Sequence, residues 1–122
     1  MSMNDYKVTI AVPVYGVESY VEKCAISLFE QTYSNLEILF INCTPDKSVE
    51  IINKTLEKYP HRKAQVKIYN QPVNKGCPTA RNLAVQIATG DFILFVDGDD
   101  YIEIDSISSL VTEQIASNAD LV

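Results

Sequence analysis

At 122 residues, 47% hydrophobic and 21% charged, the chain has the composition of one ordinary globular domain, which excludes disorder. A net charge of −6 with scattered basic residues argues against a nucleic-acid-binding surface. No stretch reaches the ~18–20 apolar residues of a membrane span, and the start lacks the apolar core of a signal peptide.

Val8–Val14 is a mostly apolar strand whose ladder is closed by Pro13, which has no N–H to donate. From Glu18 to about Gln31, the residues Tyr20, Val21, Cys24, Ala25, Leu28 and Phe29 recur at helical spacing. Leu36–Ile41 is a second strand, followed by the polar loop Asn42–Asp46. Asp46 is placed to cap a second helix with the stripe Val49, Ile52, Leu56 and Tyr59, stopped by Pro60. Val66–Tyr69 is a short strand suited to a sheet edge. After a loop of turn formers, Ala80, Leu83, Ala84, Ile87 and Ala88 mark a third helix, with Gly90 expected at its C′ position. Phe92–Val96, all apolar, reads as a strand buried on both faces, of the kind found in the middle of a parallel sheet. Asp105 is placed to cap a last helix with Ile107, Leu110, Val111 and Ile115 inward.

Strands alternating with connections of helical length predict an α/β fold, a doubly wound, mostly parallel Rossmann-like sheet in the order 3-2-1-4. In that order the switch point lies between the first strand and Phe92–Val96. Tyr15–Glu18 and Asp97–Asp100 then face one another across a crevice, with Asn42–Asp46 beside them.

Asp97, Asp99 and Asp100 place three carboxylates within four positions. Such a cluster calls for a cation, a shift in protonation or wide exposure to water. Hard aspartate oxygens suit Mg²⁺ or Mn²⁺, which take phosphate oxygens as further ligands and stabilise a diphosphate leaving group. A solvated acidic turn is the bland alternative, since Asp-Gly is a common turn pair. Neither a glycine-rich dinucleotide fingerprint nor a P-loop is present. The single histidine, His61, argues against a histidine-based triad or metal site. Tyr101 and Ile102 exclude an EF-hand loop. Cys24, Cys43 and Cys77 lack paired zinc-site spacing and read as reduced thiols of a cytoplasmic protein, with attachment at the inner face of a membrane left open.

Several short stretches together resemble the nucleotide-binding half of a family 2 glycosyltransferase with the GT-A fold, from about Lys7 to the end. They are Val12-Pro-Val-Tyr, Ser27-Leu-Phe-Glu-Gln-Thr-Tyr, Leu36-Glu-Ile-Leu-Phe-Ile, Asn74-Lys-Gly-Cys-Pro-Thr-Ala-Arg-Asn, Ala88-Thr-Gly-Asp and Asp97-Gly-Asp-Asp-Tyr. The resemblance implies transfer of a sugar, with inversion, from a nucleotide-diphosphate donor to a glycan or lipid-linked acceptor in polysaccharide synthesis. It implies Mn²⁺ or Mg²⁺ on the Asp-x-Asp pair Asp97 and Asp99. Pro13, Tyr15 and Glu18 would line the nucleoside pocket, and Asn42 would meet the base. Asn74, Gly76 and Arg81 would flank the donor, with Asp97 near the ribose or the metal. The general base and acceptor region are expected beyond Val122, so residues 1–122 are expected to form the donor-binding domain of a longer enzyme, inactive by itself.

Two departures stand out. Asn42-Cys43-Thr44-Pro45 replaces the usual Asp-Asp-Gly-Ser, and Gly16 replaces a common asparagine. The first keeps open a non-catalytic nucleotide-sugar module. A nucleotidyltransferase would want a glycine-rich basic loop after the first strand, which Val14-Tyr-Gly-Val-Glu does not supply. Bland roles remain for Arg81 as a structural ion-pair partner and for Glu18 as a first-turn acid of its helix.

Overall fold

The computed structural model describes residues 6–43, 47–70 and 76–117, the side chains of 76–79 and 115–117 excepted. Along the chain run β1 (Val8–Val14), α1 (Val21–Phe29), β2 (Leu36–Asn42), α2 (Ser48–Leu56), β3 (Val66–Asn70), α3 (Gly76–Ile87), β4 (Phe92–Phe95) and α4 (Ser106–Ser117). The sheet is parallel throughout, in the expected order β3-β2-β1-β4.

Side-chain alternation on β1 and β2 sends residues to two cores. Val8, Ile10, Val12, Leu36, Ile38 and Phe40 pack with Val21, Leu28 and Phe29 of α1, Ile52 of α2, and Ile107 and Val111 of α4. Ala11, Ile41 and Cys43 face α3 through Ala80 and Ala84. Both faces of the sheet are thus covered, which is why the strands read as unbroken apolar runs. Cys43 is fully buried here. Truncating Phe29, fully buried in the larger core, to alanine would cost about 3–5 kcal/mol.

Four local expectations are corrected. Phe92–Phe95 is not a middle strand: β4 pairs only with β1, lies at the edge among the described residues, and is half-buried throughout. α1 is shorter than Glu18–Gln31, because a turn precedes it in which Tyr20 and Val21 donate to Val17 O, both at 2.8 Å. Pro60 does not merely stop α2: it opens a 3-10 helix, Pro60–Gln65. Gly90 is not a left-handed C′ residue: α3 ends at Ile87, and the Gly90 N–H donates to Thr9 Oγ1 at 2.9 Å. The proposed cap Asp46 lies outside the described residues, whereas Asp105 stands directly before α4 as expected.

Pro13 fits the ladder for a specific reason. β1 pairs with β2 as far as Val14–Asn42 but with β4 only as far as Ala11–Phe95. Pro13 O accepts from Gly98 N on the β4 side, so the N–H that proline lacks falls where that ladder has already ended.

Candidate functional site

Where β1 and β4 end side by side, a cleft of about 410 Å³ opens, lined by Pro13, Tyr15, Val17, Arg81, Asp97, Gly98 and Asp99. A larger recess of about 670 Å³ lies on the other side of Asp97 and includes Phe95, Asp100, Tyr101 and Glu113. Arg81 and Asp97 line both.

The turn after β4 is closed by Asp100 N–H donating to Asp97 O at 3.0 Å, and by Gly98 N–H donating to Pro13 O at 3.2 Å. A Cβ on Gly98 would sit 2.9 Å from Val17 Cγ2 and 3.1 Å from Pro13 O, so the absent side chain is what lets the turn lie against the end of β1. On the facing loop, Gly16 has φ +63°. That left-handed conformation is open to glycine and tolerated by asparagine.

The turn holds Asp97, Asp99 and Asp100 exposed, with one carboxylate oxygen from each within 4.8 Å of the others. Each such pair repels by about 1 kcal/mol in water. Arg81 Nη2 stands 3.7 Å from Asp97 Oδ1, and its guanidinium lies 5.0 Å from the centre of the Phe95 ring. An exposed pair at that distance is worth roughly 0–1 kcal/mol and leaves most of the cluster's charge uncompensated. Hard, exposed and mutually close, the three carboxylates suit a divalent Mg²⁺ or Mn²⁺ ion. Beneath them, Cys24 Sγ donates to Asp97 O at 3.7 Å. Burial, then the charges of Asp100, Asp99 and Asp97, push its thiol up to about 12, so it stays protonated.

Of the residues singled out in the sequence, Pro13, Tyr15, Arg81, Asp97 and Asp99 meet in the cleft. Glu18 points elsewhere: its Oε1 accepts the Lys47 N–H at 3.0 Å, just before α2. Asn42 ends β2 and donates from Nδ2 to Asn70 Oδ1 at 3.0 Å, its register partner on β3. Gly76 opens α3, and Asn74 lies outside the described residues. The sequence reading passed over Val17 and Gly98 as lining residues. It also left Asp100 out of the metal pair, although its place in the acidic run was signal enough.

The model for "Glycosyl transferase family 2" matches residues 9–122. The glycosyltransferase EpsJ of Bacillus subtilis is 40% identical over 116 residues, covering 94% of this chain and 32% of that protein. The glycosyltransferase GlyA of Streptococcus pneumoniae is 38% identical over 118 residues, covering 96% of this chain and 16% of that protein. Residues 1–349 of S. aureus TarS in complex with UDP superpose with a TM-score of 0.80 at 28% identity, covering 92% of this chain and 33% of that one. The mannosyltransferase PcManGT of Pyrobaculum calidifontis, solved with GDP-Man and Mn²⁺, has a TM-score of 0.79 at 22% identity, covers 91% of this chain and 33% of that one, and bears on the fold alone. This chain spans about a third or less of each of these proteins. Among the described residues no helix is long and apolar enough to cross a membrane. The chain belongs to glycosyl transferase family 2.

Proposed function

We propose that the cleft between β1 and β4 is the donor site of a glycosyltransferase, taking a nucleotide-diphosphate sugar together with Mn²⁺ or Mg²⁺. One observation carries this reading: Asp97 and Asp99, two of three clustered exposed carboxylates, line a cleft with an exposed tyrosine and an arginine at the switch point of a parallel sheet, where open α/β folds take their ligands. Asp97 and Asp99 would hold the ion, with Asp100 within reach as a third oxygen donor. When bound, the cation offsets the diphosphate's charge and stabilises it as a leaving group.

The chain's own residues bind and orient. Tyr15, 58% exposed beside Pro13, offers a flat ring to the nucleoside. Arg81 offsets part of the acidic charge on one wall, and Val17 with Gly98 shapes the other. Residues 1–122 serve as the donor domain of a longer enzyme in polysaccharide synthesis. Inversion at the sugar, the general base and a glycan or lipid-linked acceptor are assigned to that whole enzyme, a reading supported by relatives three or more times as long.

Asn42 favours a second reading. Tied to Asn70, it suits a nucleotide-sugar module in which base recognition is weakened and catalysis lost. Calorimetric titration with uridine and guanosine diphosphates, with and without Mn²⁺, tests the donor site. Metal-dependent heat with one of the two is expected. Absence of heat with both, from folded protein, would overturn the donor-site reading, whereas equal metal-dependent heat with both would favour the module.

A further inference from the structure

The acidic turn has no regular structure of its own between β4 and α4, yet its backbone is tied down at several points, and the ties lead to α1. Cys24, Ser27 and Gln31 recur at i, i+3 and i+7, so they share one side of α1 and its extension. Cys24 Sγ donates to Asp97 O at 3.7 Å. Ser27 Oγ accepts the Ile102 N–H at 3.3 Å while donating to Cys24 O at 2.7 Å.

Gln31 is 4% exposed, and its amide makes three bonds at once. Nε2 donates to Ser27 O at 2.9 Å and to Glu103 O at 2.6 Å, while Oε1 accepts the Ile107 N–H at 3.1 Å. Ile107 is in the first turn of α4, where backbone N–H groups have no partner within the helix, so Gln31 caps α4 from a distant part of the chain. Its own backbone is fixed from behind: Gln31 O accepts from Nη2 of Arg62 at 2.7 Å. Arg62 is itself buried and bonded to Phe29 O at 3.1 Å and Tyr33 O at 3.1 Å.

We propose that Gln31, with Ser27, is a positioning residue for the acidic turn: it holds the backbone after β4 so that Asp97, Asp99 and Asp100 converge before an ion arrives. Three clustered carboxylates repel one another, and a loose loop would relieve that repulsion by spreading. Fixing Ile102, Glu103 and Ile107 against α1 keeps them together. Gln31 touches no carboxylate of the cluster and acts only through the backbone between them. The part of this inference that concerns metal rests on the donor-site reading above. The convergence of the turn stands on the hydrogen bonds alone.

The test compares Gln31→Met, which keeps the length and removes the amide, with Glu37→Gln, which weakens the opposite end of the sheet. Both are measured as Mn²⁺ affinity under conditions where each protein is fully folded. Gln31→Met should lose roughly tenfold in Mn²⁺ affinity, as supporting residues around metal sites commonly do, while Glu37→Gln stays within about twofold. Equal losses in the two variants, or none in Gln31→Met, would overturn the proposal. Should Gln31→Met not fold, Ser27→Ala takes its place, with a smaller loss in the same direction expected. If the unaltered protein binds no Mn²⁺ by itself, the metal part of this inference fails, and amide hydrogen exchange at Asp99 to Ile102 decides the positioning role. Faster exchange in Gln31→Met but not in Glu37→Gln upholds it, and unchanged exchange sinks it.

Discussion

The two ends of the sheet use the same functional group in opposite ways. At the amino-terminal end, Glu37 is 2% exposed and saturated. It accepts from Thr9 Oγ1 at 2.8 Å, from Thr89 N and Oγ1 both at 2.9 Å, and from Lys67 Nζ at 3.1 Å. Burial pushes its carboxyl up, but these bonds outweigh burial and hold it at about 2. At the carboxyl-terminal end, Asp97, Asp99 and Asp100 are exposed, with Arg81 at 3.7 Å from Asp97 as the ion pair found there among the described residues. A carboxylate whose bonding capacity is filled by its own fold is a structural staple. Carboxylates held close and exposed leave oxygens open to a ligand from outside the fold.

Asp99→Ala should abolish metal-dependent nucleotide binding while moving stability by no more than about 0.5 kcal/mol, since it also relieves repulsion. Calorimetry and chemical denaturation read the two effects separately, and a large stability loss would erase the distinction. Glu37→Gln should do the reverse, lowering stability by about 3 kcal/mol at neutral pH with metal binding intact.

The pH dependence of Glu37 follows from its depressed pKa. Between pH 4.5 and about 2 the unfolded chain binds the proton and the folded one does not, so this stability is complete above that window and disappears as pH falls through it. The gap between the unaltered protein and Glu37→Gln should therefore close on acidification, as followed by urea midpoints across that range. Gly98→Ala should cost about 1–2 kcal/mol and weaken nucleotide binding, because the new Cβ drives the turn away from Pro13 and Val17. Arg81→Ala should lower stability by less than about 1 kcal/mol, because its ion pair is exposed and long; thermal melts would show it.

Much of the fold was legible because its signals are local. Val8–Val14 and Leu36–Ile41 announced buried strands, and the spacing of Val21, Leu28 and Phe29 announced the buried side of α1. The acidic turn was legible for the same reason, its carboxylates being neighbours in sequence. What escaped was carried by single polar residues whose partners are distant. Arg62 lies in the polar run Pro60–Gln65 and gives no sign that it is buried against carbonyls at and just after the end of α1. Gln31 looked like the tail of a helix, because its partners Glu103 and Ile107 lie more than seventy residues away. Glu37 did leave a mark, as a lone acid inside an apolar strand. The stretch Ala88–Asp91, read as a helix end and for its resemblance, contains its partner Thr89. Phe92–Phe95 stands where the order 3-2-1-4 puts it, but its burial was overread, because an apolar run reports the burial a strand seeks, whereas its neighbours decide the burial it has.

The most direct test is a crystal structure of the protein grown with Mn²⁺ and a nucleoside diphosphate, with the ion located by its anomalous scattering. A single ion is expected on Asp99 with Asp97 or Asp100 beside it, and the diphosphate in the cleft lined by Pro13, Tyr15 and Arg81. An ion or diphosphate bound elsewhere, with the acidic turn facing only solvent, would contradict it.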